Sequence, residues 1–167
     1  MQKLKTGIVI FSRPARSGKT TELYQFVIGK KKIGGFLTPD INGCRVLYDI
    51  KNGNYEEFEL KDSLKPGINI GKFSFSIKAF KKAKELFKQS AEQQLFIVDE
   101  VGRLEIFQDS GWEPELTALI TRYKDANQNG ILLLVVRDYL LEEFIKKNNL
   151  INPWIISSIN NFEGYSE

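Results

Sequence analysis

Two short segments carry residue types suited to phosphate chemistry. The first is Arg13-Pro14-Ala15-Arg16-Ser17-Gly18-Lys19-Thr20. It follows the apolar run Gly7-Ile8-Val9-Ile10-Phe11 and opens a stretch, Lys19 to Ile28, in which Leu23, Phe26 and Val27 recur at helical spacing. A loop between a buried strand and a helix turns its backbone N–H groups into a concavity, and the helix N-terminus adds partial positive charge. Lys19 is then placed to reach β- and γ-phosphates, and the Thr20 hydroxyl to ligate Mg²⁺. The competing reading is an ordinary strand-to-helix turn with an exposed lysine. The second segment is Leu95-Phe96-Ile97-Val98-Asp99-Glu100, an apolar run ending in two acids. Beside a phosphate loop, the first acid suits Mg²⁺ and the second suits the attacking water. Taken alone, the pair reads equally well as a helix N-cap or a solvated edge.

The loop departs from the usual glycine-rich pattern at two points. Arg13 stands where that pattern begins with glycine, and Arg16 replaces a residue that is often glycine. A bulky side chain costs energy wherever the loop needs positive φ. Arg16 either folds over the phosphates as a clamp or points to solvent. Arg103, just past the acids, either neutralises γ-phosphate charge or forms a surface salt bridge. Arg45, in the inserted segment, is a further candidate cation, and Arg137, which ends a strand at the ligand edge, is a weaker candidate of the same kind. Trp154 either stacks on a base or belongs to the core.

These side chains need a frame that brings distant segments to one edge. Apolar runs at 7–11, 34–38, 95–100, 131–136 and 154–157 read as strands. Helical spacing over 19–28, 76–91, 113–123 and 138–147 alternates with them, with Pro114 suited to a first turn and Asp138 to an N-cap. This alternation predicts an α/β fold of three layers, a mostly parallel sheet between helices. The turn signals Asn42-Gly43 and Asn52-Gly53, with apolar–polar alternation around them, place an antiparallel β-meander at about 41–75 within a single 1–167 domain. Ligands of such sheets bind at the carboxyl edge.

Composition narrows the chemistry. The chain has no histidine, so acid–base work falls to carboxylates, lysines or tyrosines. The single cysteine, Cys44, cannot form an internal disulfide, and a reducing cytoplasm is the expected setting. No apolar run reaches membrane-span length, and the start Met1-Gln2-Lys3-Leu4-Lys5 does not read as a signal peptide. The net charge of +3 is spread along the chain, and Lys81, Lys82, Lys84 and Lys88 sit on one helix face, which argues against a nucleic-acid stripe. No obligate protein partner is evident.

Four blocks resemble the THEP1-type nucleoside-triphosphatases, a family of small P-loop enzymes acting on a broad set of nucleoside triphosphates. They are Ser17-Gly18-Lys19-Thr20-Thr21; Gly35-Phe36-Leu37-Thr38 with Gly43-Cys44-Arg45; Ile70-Gly71-Lys72-Phe73 with Phe80; and Val98-Asp99-Glu100-Val101-Gly102-Arg103-Leu104-Glu105. A fainter block lies at Asn161, where the family tends to carry Asn-Arg and this chain has Phe162; the family also favours lysine at the position of Arg103. The resemblance implies Glu100 as catalytic base and Asp99 as magnesium partner. The expected set is then Glu100, Lys19 and Arg103 for catalysis, Arg16, Ser17, Gly18, Lys19, Thr20, Thr21 and Asn161 for the nucleotide, and Thr20 with Asp99 for Mg²⁺. The expected activity is Mg²⁺-dependent hydrolysis of nucleoside triphosphates. A small P-loop kinase and a nucleotide-binding module with little turnover are the rival readings.

Overall fold

The structure, a computed structural model, describes residues 6–62 and 64–162, with Thr6 and Asn161 described only in their backbone. β1 (Thr6–Arg13) leads through the loop into α1 (Lys19–Val27) and then β2 (Ile33–Leu37). Six short strands follow: β3 (Asp40–Ile41), β4 (Cys44–Asp49), β5 (Asn54–Glu57), β6 (Glu59–Leu60), β7 (Gly67–Ile70) and β8 (Phe73–Ser76). Next come α2 (Ile77–Leu86), a 3₁₀ stretch (Phe87–Glu92), β9 (Leu95–Val101), α3 (Arg103–Phe107), α4 (Glu115–Lys124) and β10 (Gly130–Arg137). A 3₁₀ turn (Asp138–Leu140), α5 (Leu141–Lys147), β11 (Trp154–Ile156) and a last 3₁₀ turn (Ile159–Asn161) complete the order.

The central sheet has the order β11-β1-β10-β9-β2, with every pair parallel. Strands covered on both faces must be apolar throughout, which is why these segments read as unbroken hydrophobic runs. Alternate residues enter two cores. Val9, Phe11, Leu95, Ile97, Ile131, Leu133 and Val135 meet Leu23 and Val27 of α1 on one face. Ile10, Phe96, Val98, Leu132, Leu134 and Val136 meet α2, α4 and α5 on the other. This is the three-layer arrangement expected from the alternation of strands and helices.

The inserted β-rich segment divides in two. β4 extends the main sheet antiparallel to β2 and carries β3 and β5, whereas β6-β8-β7 forms a separate antiparallel sheet. Asn42 and Gly43 supply the positive φ values, 55° and 76°, that a tight β3–β4 turn needs. An aromatic cluster fastens the second sheet to the domain. Phe58 lies 4.8 Å from Phe75, and Trp112 lies 4.5 Å from Phe80 and 4.7 Å from Phe36, centroid to centroid. Two local expectations shift. Pro114 is the N-cap of α4 rather than a residue of its first turn, and Asp138 begins the 3₁₀ turn before α5, where its carboxylate accepts the Tyr139 N–H.

β2 lies so close to β9 that a Cβ at Gly35 would stand 1.9 Å from the Ile97 carbonyl oxygen, and Gly35 has φ of 94°. Both the space and the backbone conformation demand glycine. Gly35→Ala is therefore expected to destabilise the fold by about 3 kcal/mol or more. Denaturant unfolding of the variant beside the wild type measures it, and a loss below about 1 kcal/mol would show that the two strands separate freely.

Candidate functional site

Parallel strands share one carboxyl edge, and the register fixes what meets there. Arg13 at the end of β1 lies opposite Arg137 at the end of β10, and Val136 lies opposite Val101 of β9. The loop after β1, the acids of β9 and the arginine of β10 therefore converge. The loop, Glu100 and Arg137 border a cleft of about 720 Å³ that also reaches Thr38, Asp40, Arg45 and the inserted strands.

The loop ends at Gly18, whose φ of 83° precedes the first residue of α1. Lys19 is buried; its Nζ donates to the carbonyls of Arg13 at 3.0 Å and Pro14 at 2.8 Å, which draws the lysine across the loop. Burial lowers its pKa, against the opposing pull of Glu100 and Asp99. Arg16 has φ of 56°, the conformation in which a side chain is costly, and it is exposed at the cleft.

Arg13 is fully engaged. Its Nε donates to Ser17 Oγ at 3.1 Å and one terminal nitrogen to the Ser17 carbonyl at 2.8 Å. The other terminal nitrogen donates to Glu22 at 2.8 Å and to the Ser157 carbonyl at 3.1 Å. Glu22 in turn accepts from the Ser158 hydroxyl and the Ile159 N–H. The residue that breaks the glycine pattern is thus a strut across the loop. Sequence reasoning treated it only as a departure and did not identify Glu22.

Asp99 is fully buried at the end of β9. Its Oδ2 accepts from the Thr20 hydroxyl at 2.8 Å and the Thr38 N–H at 3.1 Å, while Oδ1 is buried without a hydrogen-bond partner among the described residues. Burial and the neighbouring Glu100 push its pKa up to about 6, against the hydrogen bonds and Arg45. A hydroxyl beside a carboxylate with one spare buried oxygen is a hard-oxygen donor set that fits a divalent cation such as Mg²⁺. No group of three or more histidine, cysteine or acidic residues suited to a metal occurs among the described residues, so phosphate oxygens and water would complete such a site.

Glu100 follows on the same edge, and its Oε1 accepts from Arg137 Nε at 2.5 Å. Arg103 opens α3, exposed at the cleft, with its guanidinium over the Phe107 ring. Glu105 holds that turn, accepting from the N–H groups of Gly102 at 2.9 Å and Trp112 at 3.0 Å. The Gly102-x-x-Glu105 spacing is the sequence sign of this back-reach. The structure thus brings Ser17, Gly18, Lys19, Thr20, Thr21, Arg16, Asp99, Glu100 and Arg103 to one cleft or its edge. The side chain of Asn161 lies outside the described residues. Trp154 is half-buried, packs against the α1-side core and lies 5.9 Å from Phe162.

A parallel sheet whose strand β1 runs through Gly-Lys-Thr into a helix, with an acid of β9, two strands away, bonded to that threonine, defines the P-loop nucleotide-binding class. A family model described as NTPase matches residues 8–152. The chain belongs to this family, the THEP1-type NTPases. In fold it is similar to the crystal structure of THEP1 from the hyperthermophile Aquifex aeolicus, with a TM-score of 0.63 and 14% identity over 92% of this chain and 91% of that one. No curated protein matches the chain. Among the described residues, no helix is long and apolar enough to cross a membrane.

Two expectations follow. The folded chain holds the Asp99 proton up to about pH 6, whereas an ordinary aspartate loses it near 3.8. This carboxyl's contribution to stability is therefore complete below the lower value and is lost as pH rises through the higher. Asp99→Asn keeps an acceptor for Thr20 and Thr38. Without added nucleotide or metal it is expected to be more stable than wild type by about 1–3 kcal/mol near pH 8, a gap that closes near pH 4. Thermal unfolding across pH measures this, and a pH-independent gap would refute the buried charge as its cause. Arg16→Gly removes a left-handed side-chain cost and should stabilise the protein by up to about 1 kcal/mol, read by the same method; a loss of stability would show that the arginine side chain supports the loop.

Proposed function

We propose that this protein hydrolyses nucleoside triphosphates to diphosphate and phosphate with Mg²⁺ as cofactor. The observation that carries the reading is the Thr20–Asp99 hydrogen bond of 2.8 Å, which ties the loop bearing Lys19 to the strand bearing Glu100. Membership of an NTPase family and the P-loop fold support triphosphate hydrolysis in general.

Each residue has a distinct task in this reading. The amides from Arg16 to Thr21 and the Lys19 ammonium bind the phosphate chain and accept its developing charge. Thr20 and Asp99 would hold Mg²⁺, which when bound would neutralise phosphate charge. Glu100 orients water for in-line attack on the γ-phosphorus and accepts its proton, while the bond to the bridging oxygen breaks and the diphosphate leaves. Arg103 stands at the cleft to offset γ-phosphate charge. Asn161 is retained as a proposed base contact.

The aromatic lining of the cleft supports a second reading, transfer of the phosphoryl group to an acceptor other than water. Phe58, Phe73, Phe75 and Trp112 line the same cleft as Glu100. Phosphate release without any acceptor separates the two readings.

Glu100→Gln keeps the side chain's size and removes its charge. It should retain Mg²⁺–nucleotide binding while hydrolysis falls roughly a hundredfold or more, the scale of a positioned base. The measurement is nucleotide affinity beside single-turnover phosphate release for a panel of triphosphates. Hydrolysis at the wild-type rate would remove Glu100 from the mechanism, and a wild type that binds but never turns over would leave a binding module.

A further inference from the structure

Arg137 sits between the two halves of the site. It is the last residue of β10, in register with Arg13 at the start of the loop, and β9 lies on the strand's other side. Its Nε donates to Glu100 Oε1 at 2.5 Å and one terminal nitrogen to the Tyr139 hydroxyl at 3.3 Å. The other terminal nitrogen makes no hydrogen bond among the described residues. The side chain is about three-quarters buried and borders the cleft together with Ser17, Lys19 and Glu100. Both Glu100 and Arg137 act electrostatically on the Lys19 ammonium, which places all three in one local field.

A guanidinium carries five donors in a fixed plane and can hold two anions at once, which an ammonium on a flexible stem does less rigidly. Here Nε is committed to Glu100 and one terminal nitrogen to Tyr139, which leaves the other terminal nitrogen on a side chain that borders the phosphate cleft. We infer that Arg137 reads the γ-phosphate: it bridges Glu100 and a γ-phosphate oxygen, so that the terminal phosphate and the carboxylate are held by one planar group. This rests on the nucleotide reading above and deepens it, assigning to Arg137 the discrimination of triphosphate from diphosphate and the positioning of Glu100. A nucleoside diphosphate lacks the oxygen that the fork would reach and gains nothing from it. A γ-phosphate also competes with Glu100 for the same cation, so the carboxylate gives up part of its ion pair only when a triphosphate is bound.

Arg137→Ala and the longer neutral variant Arg137→Gln, each checked by thermal unfolding, provide the test. Affinities for ADP and for adenosine 5′-(β,γ-imido)triphosphate are measured with Mg²⁺. In both variants triphosphate affinity should fall roughly tenfold to a hundredfold, the scale of a lost charged hydrogen bond, while ADP affinity changes less than about twofold. Arg137→Lys should recover part of the triphosphate affinity and little of the turnover, because it restores charge without the fork. A wild type that binds both nucleotides, with its triphosphate-to-diphosphate ratio unchanged in a folded Arg137→Ala or Arg137→Gln, overturns the inference and leaves the nucleotide reading intact. A wild type that binds neither nucleotide overturns both.

Discussion

The buried carboxylate of Asp99 is the point on which the rest of the site depends. One of its oxygens joins the start of α1 through Thr20 and the end of β2 through the Thr38 amide, so three segments distant in sequence share one acceptor. A charge removed from water is costly unless it is paired. Here the pairing is incomplete, since Oδ1 is buried without a partner among the described residues, and the raised pKa records the imbalance. The fold carries this cost beneath the loop, where the carboxylate is fully buried. Structures tolerate such local penalties where the surrounding packing over-determines the geometry.

Around that point the loop is stiffened in an unusual way. Glycine-rich loops rely on backbone freedom, whereas here the guanidinium of Arg13 spans the loop from Ser17 to Glu22. Glu22 passes the restraint to Ser158 and Ile159 beyond β11. The phosphate loop and the segment after the last strand are thereby joined through one ion pair with side chains about four-fifths buried. Charge-assisted hydrogen bonds in a partly dry setting hold geometry better than exposed pairs do.

Much of the frame was legible because it is encoded locally. Strands covered on both faces read as apolar runs, Asn42-Gly43 marked its turn, and the spacing of Gly18, Lys19 and Thr20 after a strand marked the loop. What escaped was non-local or too short to have a period. Arg13 looked like a defect because its partners, Glu22 and Ser157, lie 9 and 144 residues away. The Glu100–Arg137 pair spans 37 residues. The five residues of α3 cannot display helical spacing, and its anchor, the reach of Glu105 to Gly102, is a single side chain. Two-residue strands such as β3 and β6 carry no alternation at all, so a continuous meander was expected where the chain splits into a sheet extension and a separate three-stranded sheet.

The aromatic cluster that fastens the second sheet also forms the floor of the cleft. Phe58, Phe75, Phe80 and Trp112 are almost fully buried, and each packs against another ring of the cluster. Reshaping that floor removes core packing, so its variation is constrained by foldability. The rim is free of this constraint: Arg45 and Phe73 border the same space without being core residues. Divergence among descendants of this sequence should therefore concentrate at the rim, while the floor drifts slowly whatever molecule the cleft comes to accept.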